Sequence, residues 1–500
     1  FVADRTEGFE EWRDYVLGKS DGTPKTPEWQ EAETGVPARE VRALAREWGT
    51  KKTYLGPGAW GGGIGGACRG PMGIQWARMM TILGAMQGMG RPGVNFGNLQ
   101  FGAPLDFNFY FPGYAEGSMS GDLQYSANAA NNYQRMPHIV TMSSVRQSIP
   151  RIYLPEAIME GKALGYLTDV ASVHGQFQRI GYPAPGCARI EMMYKYGSAS
   201  FGTMVESNRW VKMYQHENLP FVVNQSVWNE GETRFSDVIL PACTVFERWD
   251  ISEWYNVGAG YVHHMYSMNN HRVISMQHKA IEPMGESKSD YDIFLAIAER
   301  LGMGAMYSEG GNTELDWCKR VFDSSDLAKH MTWSKFLEKG YFVVPPEPEA
   351  TRAPTAYKWF YEGRAKDVPE PYPLPSDYLG EYGKGLQTPS GKFEFVANTL
   401  KRIDDPGRPP LNKYMPNYED PRKDKALAGY PLQLLTPHSR YPFHVMGDDS
   451  DTALNDIKDH RVLVDGHYYL VARINRQDAE ARDIKSDDLI RLWNNRGSVV

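Results

Sequence analysis

The sequence is poor in cysteine. Its four cysteines, Cys68, Cys187, Cys243 and Cys318, lie too far apart for any CxxC zinc or iron–sulfur spacing, and they make no disulfide framework. A reducing, cytoplasmic compartment is therefore expected, and no signal-peptide pattern follows Phe1. No apolar run approaches the ~18 residues of a membrane span, and mean hydropathy is −0.51. Neither sign of charge dominates. The 54 Lys+Arg against 61 Asp+Glu leave a net −7, and a pI near 6.0 argues against nonspecific nucleic-acid binding. Between Glu47 and Asp106 there is no carboxylate at all.

What is present is length and glycine. Five hundred residues imply several cores, at roughly 100–200 residues per domain. The 49 glycines are densest in Gly56-Pro57-Gly58-Ala59-Trp60-Gly61-Gly62-Gly63-Ile64-Gly65-Gly66. A short strand, Thr53-Tyr54-Leu55, precedes this run. A helix follows it, with Ile74, Ala77, Arg78, Thr81, Ile82 and Ala85 at helical spacing. Upstream, Val41, Leu44, Ala45 and Trp48 recur at helical spacing after Pro37, which suits a first helical position. Strands are read at Ile190–Tyr194, Phe221–Ser226 and Asp237–Leu240, with a helix from Val205 to Tyr214 between the first two, and this order argues for a parallel sheet. Another helix spans Asp290 to Leu301. From Pro345 to about Tyr382, proline, tyrosine and charge predict irregular structure. Asp465-Gly466 between two β-rich runs is a hairpin signal, and Leu489–Trp493 reads as a further strand. Asn494-Asn495-Arg496-Gly497-Ser498-Val499-Val500 reads as a turn and the start of a strand, so the sequence is expected to be a fragment cut at both ends.

The glycine run satisfies G-x-G-x-x-G twice, at Gly56/Gly58/Gly61 and at Gly61/Gly63/Gly66. An NAD site also needs an acidic residue about 20 positions on to bond the ribose, and none exists; a Walker loop needs Gly-Lys-Ser/Thr, also missing. A carboxylate-free stretch with Arg69, Arg78, Arg91 and a helix N-terminus suits an anion such as pyrophosphate. A tight turn needed only for packing is the competing reading.

Several ordered blocks carry a family resemblance. Glu232-Thr233-x-x-Ser236-Asp237-Val238-Ile239-Leu240-Pro241 followed by Glu247 resembles the E-T-x-x-x-A-D-V-V-L-P…E run of the molybdopterin oxidoreductase superfamily. Thr388-Pro389-Ser390-Gly391-Lys392-Phe393-Glu394 is similar to its T-P-S-G-K-x-E signature. Thr34-Gly35-Val36-Pro37 with Val41-Arg42-Ala43-Leu44-Ala45, and Ile474-Asn475 and Asp478-Ala479 with Asn494-Asn495-Arg496-Gly497, resemble further family blocks. Within the superfamily, the runs Asp106–Gly117, Phe246–Glu253 and Lys458–Val462 most resemble large subunits that move a hydroxyl group between polyhydroxylated benzenes.

The resemblance implies an α/β fold. Residues 1–120 would be part of a cofactor-binding domain with its glycine-rich loop at 56–66, 121–189 an irregular insert, and 190–302 a Rossmann-like dinucleotide-binding domain. Residues 303–425 would be a mixed connecting region, and 426–500 a truncated six-stranded-type double-psi β-barrel that binds molybdopterin dinucleotide. The implied cofactor is molybdenum held by two molybdopterin guanine dinucleotides. The implied partner is a small iron–sulfur subunit, with a small aromatic substrate and no nucleic acid or membrane.

Strand ends and loops supply the cofactor candidates: Gly62, Gly66 and Arg69; Gly197 and Ser198; Gln225 and Ser226. Arg248 offers a charge-assisted donor. Asp290 is either the reader of guanine N1–H and N2–H₂ or the cap of the 290–301 helix. The loop Thr436, Pro437, His438, Arg440, His444 and Met446 aligns with the family's pterin-contacting loop, while His263-His264 reads as structural. The resemblance places Tyr114 beside the molybdenum. It could serve there as general acid or hydrogen-bond donor to a substrate hydroxyl. The metal ligand is expected upstream of Phe1, so none is assigned. The expected reaction is a pyrogallol-to-phloroglucinol type transfer without net redox change. The alternatives are a net oxidoreductase of the same superfamily and a cofactor-free scaffold homologue.

Overall fold

A computed structural model describes residues 1–55, 70, 72–96, 147, 149, 151–167, 178–197, 200–229, 231–253, 273–343, 345, 357–363, 386, 388–401, 404–417, 419–420, 423–436, 441 and 453–500. Over these residues the chain mixes α-helices with parallel and antiparallel sheets.

After a helical turn at Val2–Arg5, the N-terminal region has strand β1 (Thr6–Glu7) and helix α1 (Phe9–Val16), followed by α2 (Pro27–Thr34) and α3 (Ala38–Thr50). Pro37 is the N-cap of α3 rather than its first helical residue. The apolar stripe of α3 is only partly covered, and Leu44 is 51% exposed. Next come β2 (Tyr54–Leu55), α4 (Gly73–Met86) and β3 (Asn95–Phe96). β2 and β3 pair in parallel, as a strand–helix–strand connection requires. α4 packs Ala85 into a cluster with Met89, Phe360 and Phe393.

The stretch expected to be an irregular insert carries regular structure at its C-terminal end. Helix α5 (Leu154–Met159) is followed by β4 (Ala163–Leu167) and β5 (Gln178–Tyr182), an antiparallel pair.

A three-stranded parallel sheet is the centre of the site described below. Its strands are β6 (Met192–Tyr196), β7 (Phe221–Ser226) and β8 (Val238–Pro241), in the order β6-β7-β8. β7 is central and buries Val222, Val223, Asn224 and Gln225, as expected for a strand covered on both faces. One face is covered by α6 (Ser207–Tyr214), which buries Trp210, Met213 and Tyr214 against Val222, Leu219 and Ile158. The other face meets α7 (Asp290–Arg300), where Phe294 stacks on Tyr194 with ring centroids 5.7 Å apart. β6 begins two residues later than its sequence suggested, because its register partner Phe221 pairs with Met192.

A second core joins residues from the expected Rossmann-like domain (190–302) with residues from the region read as connecting (303–425). β9 (Asp250–Glu253), β10 (Val273–Gln277) and β11 (Tyr341–Val343) form an antiparallel sheet. Helices α8 (Glu314–Ser324) and α9 (Trp333–Lys339) close it with Cys318, Val321, Phe322 and Phe336, around Ile251, Ile274 and Met276. Further on, β12 (Phe393–Glu394) returns to pair in parallel with β1.

The last residues form two hairpins. β13 (Arg461–Val464) and β14 (His467–Leu470) are joined by Asp465 and Gly466, both at positive φ (49° and 78°), as a two-residue hairpin turn demands. β15 (Leu492–Asn494) pairs with β16 (Gly497–Val499), so the final segment read as an uncompleted strand folds back on its neighbour. No helix among the described residues is long and apolar enough to cross a membrane.

Candidate functional site

The C-terminal ends of β6 and β7 converge on the N-terminus of α7, and five of the sequence-derived candidates meet there or border it. Gln225, at 1% exposure, is the hub. Its Nε2 donates to Asp290 Oδ1 at 2.8 Å, and its Oε1 accepts from the Tyr194 hydroxyl. Its backbone carbonyl accepts from Gly197 N at 2.9 Å, where the chain leaves β6. Arg248 reaches Asp290 Oδ2 at 3.3 Å through Nη1 and Asp250 Oδ2 at 3.5 Å through Nη2, so it bridges two carboxylates. Ser226 lies next in β7; its Oγ accepts from Trp228 N at 3.2 Å and its carbonyl from Ala242 N at 3.0 Å, which closes the turn.

Asp290 is the first helical residue of α7, but the cap is its neighbour. Ser289 is the N-cap, and its Oγ accepts from Asp292 N at 3.1 Å. The Asp290 carboxylate is thereby free of the capping role, sits where the helix dipole favours negative charge, and stays partly open to solvent. Gly197 holds φ 59°, and a Cβ built there would meet nothing within 4 Å. Glycine is thus favoured by the backbone conformation, and among the described residues nothing crowds the space beside its Cα.

Burial and neighbouring charge set the titration of the surrounding groups. Burial, then the Asp290 charge, raises the Tyr194 hydroxyl. The same causes push Tyr196 up to about 12. Burial also raises Asp250 against the opposing pull of Arg248, and pushes the Cys243 thiol up to about 11. Both tyrosines are therefore neutral hydrogen-bond donors at neutral pH.

The motif carboxylates serve the scaffold. Glu232, 1% exposed, accepts from the Tyr214 hydroxyl and pairs with Lys195 at 3.7 Å on the α6 face. Asp237 clamps the start of β7: its Oδ2 accepts from Val222 N at 2.7 Å, and its own N donates to Val222 O at 2.8 Å. Glu247 accepts from Thr244 N at 2.6 Å in a capping box and from Met284 N at 2.7 Å. Glu394 holds the Ser390 turn through Ser390 N at 3.1 Å and Oγ at 2.8 Å.

The remaining candidates do not join this cluster. Thr436 is exposed, and among the described residues no hydrogen bond ties its side chain to the group. Gly62, Gly66, Arg69, Tyr114, Ser198, Pro437, His438, Arg440, His444 and Met446 lie outside the described residues, as do His263 and His264. Among the described residues no group of three or more His, Cys, Asp or Glu could hold a metal. Sequence reading missed Tyr194. The available signal was its two-residue spacing from Tyr196, which places both on the face of β6 that meets α7.

Residues 65–300, which include this cluster, match the model of the molybdopterin oxidoreductase family. Over its whole length it is 50% identical to the pyrogallol hydroxytransferase large subunit of Pelobacter acidigallici, of which it spans 58%. It is 28% identical to the trimethylamine-N-oxide reductase of Haemophilus influenzae and to the dimethyl sulfoxide/trimethylamine N-oxide reductase of Cereibacter sphaeroides, spanning 53% of each. Acetylene hydratase from Pelobacter acetylenicus shares the fold, with a TM-score of 0.52 at 15% identity over 97% of this chain and 55% of that one.

Proposed function

We propose that this chain forms part of the catalytic large subunit of a molybdenum enzyme that transfers a hydroxyl group between polyhydroxylated benzenes. The observation that carries this reading is the 50% identity to the pyrogallol hydroxytransferase large subunit, which runs the whole length of the chain. The cofactor is bis(molybdopterin guanine dinucleotide). The 426–500 region contributes to a double-psi barrel around it, and residues 190–302 contribute a Rossmann-like dinucleotide-binding domain. The partner is a small iron–sulfur subunit, the compartment an anaerobic cytoplasm, and the assembly a heterodimer.

The donor set at the end of β7 fits one guanine end. Gln225 and Arg248 each engage one oxygen of Asp290. The Tyr196 hydroxyl is a third partner of the same carboxylate. A carboxylate has about four lone-pair sites, so one remains for a guanine donor, and the second of N1–H and N2–H₂ would take the place of Tyr196. The left-handed backbone at Gly197, at the carboxyl end of a parallel strand, suits approach of a pyrophosphate. Gly62, Gly66, Arg69 and Ser198 extend that phosphate cradle, and Thr436, Pro437, His438, Arg440, His444 and Met446 face the pterin. When bound, the cofactor supplies oxygen and electron transfer at molybdenum. Tyr114 holds a substrate hydroxyl or gives it a proton, because a phenol donates at neutral pH unless its environment perturbs it.

The test uses the full-length subunit with its partner. Metal analysis should find molybdenum, and pyrogallol should turn over with a phenolic co-substrate and no external reductant. Tyr114→Phe should cut turnover by about a hundredfold or more. An undiminished rate removes Tyr114 from the mechanism, and a metal-free native protein favours a scaffold homologue. The N-oxide and sulfoxide reductases at 28% identity favour a second reading, a net oxidoreductase. Dye-linked reduction without a phenol would select it.

A further inference from the structure

We propose that Tyr194 and Gln225 form a hydrogen-bond relay that fixes how Asp290 is presented, making both of them positioning residues for guanine selectivity. The inference rests on Asp290 as the base reader and adds how that reader is held in register.

A glutamine amide has an accepting end and a donating end, and only one orientation suits a carboxylate neighbour. With Nε2 toward Asp290 the contact is a 2.8 Å hydrogen bond. Flipped, Oε1 would face Oδ1, and two acceptors would repel each other. The orientation is decided on the far side by Tyr194. Its hydroxyl reaches Gln225 Oε1 and, kept protonated by burial, it donates. At 1% exposure Gln225 is shut off from bulk solvent, so the tyrosine hydroxyl is the donor that decides which way the amide points.

The tyrosine is itself held by the helix that carries the reader. Phe294, one turn beyond Asp290 on α7, lies 5.7 Å from the Tyr194 ring at 29°. The loop is closed: α7 supplies Asp290, Phe294 of α7 steadies Tyr194, Tyr194 orients Gln225, and Gln225 returns to Asp290. Arg248 holds the second carboxylate oxygen from another segment. The Gln225 carbonyl also anchors Gly197 N, so one residue ties the base reader to the turn proposed for phosphate.

Isothermal titration of the cofactor-free full-length protein with GDP and with ADP tests this. Wild type should prefer GDP, and Asp290→Asn should abolish the preference. Tyr194→Phe keeps the ring and its stacking on Phe294 but loses the hydroxyl. It should weaken GDP binding about tenfold, the scale of one buried hydrogen bond, and leave ADP binding unchanged. Gln225→Met, similar in volume but without the amide, is the second variant and should do the same. If Asp290→Asn loses the preference while Tyr194→Phe and Gln225→Met retain it, the relay is wrong and the reader stands. If Asp290→Asn keeps the preference, or wild type has none, the reader falls and the relay with it. Equal weakening of GDP and ADP binding would mean the pair only supports packing, which also overturns the relay.

Discussion

Carboxylates near the parallel sheet divide into those that hold backbone and those that face solvent and ligand. Glu247 belongs to the first kind. Backbone N–H groups of Thr244 and Met284 converge on it and hold its carboxyl below the usual carboxylate range. A depressed folded-state value means that the ionised group stabilises the fold at neutral pH, and that this contribution is lost as pH falls through the folded value. Glu247→Gln should therefore be less stable than wild type at pH 7, with the difference shrinking as pH falls below the usual carboxylate range. Thermal melting across that interval measures it, and a gap that stays constant with pH would refute the assignment. Asp290 is the opposite case. Its neighbour Ser289 does the capping, so Asp290→Asn should leave the melting temperature within a few degrees of wild type while it removes guanine preference.

At the level of elements, local chemistry was readable and long-range pairing was not. The Asp465-Gly466 turn was legible because only residues that tolerate positive φ fit a two-residue hairpin loop. Gly466→Ala should cost about 1 kcal/mol, a conformational penalty, because nothing lies within 4 Å of the added Cβ. Chemical denaturation would read it, and no loss would mean that the turn is not needed. β7 was legible end to end, since Phe221-Val222-Val223 suits a covered central strand. α6 was also legible, and Trp210, at 1% exposure, carries its packing. Trp210→Ala should cost about 3–5 kcal/mol. What stayed hidden depends on distant partners. α3 has a helical apolar stripe, yet Leu44 is exposed, and periodicity cannot say whether a stripe will be covered. The 303–343 region gave no β signal strong enough to predict β11, which is held by its register with β10. At the site, Asp290 and Gln225 were visible as polar residues at strand and helix ends. Tyr194 was not, because its importance comes from a contact 31 residues away.

At the scale of the whole molecule, the segment near residue 400 belongs with the N-terminal region. β12 pairs with β1, Phe395 receives Phe9 and Trp12, and Tyr414 N donates to the Tyr15 hydroxyl at 3.0 Å. Arg78 of α4 is the polar fastener. One guanidinium donates to Gln75 Oε1 at 3.0 Å, to Pro409 O at 2.8 Å and to Pro410 O, across 331 and 332 residues of sequence for the two carbonyls. Burial draws its value down to about 10, against the favourable Glu394 charge, so the side chain remains cationic at neutral pH. A planar fork can meet these acceptors together, while a lysine ammonium is a point donor on a flexible stem. Arg78→Lys should therefore keep the charge yet lose about 1–3 kcal/mol, because at least one carbonyl is left without its donor. The Pro410 carbonyl also accepts from Ala397 N, and Asn412 N donates to Phe395 O, so these two amides report on the fastening. Hydrogen exchange should accelerate at Ala397 and Asn412 in Arg78→Lys and stay unchanged at the β7 amides, which belong to a separate core. Uniform acceleration across both regions would show that Arg78 supports the chain as a whole, and no acceleration at Ala397 would show that the long-range closure holds without it.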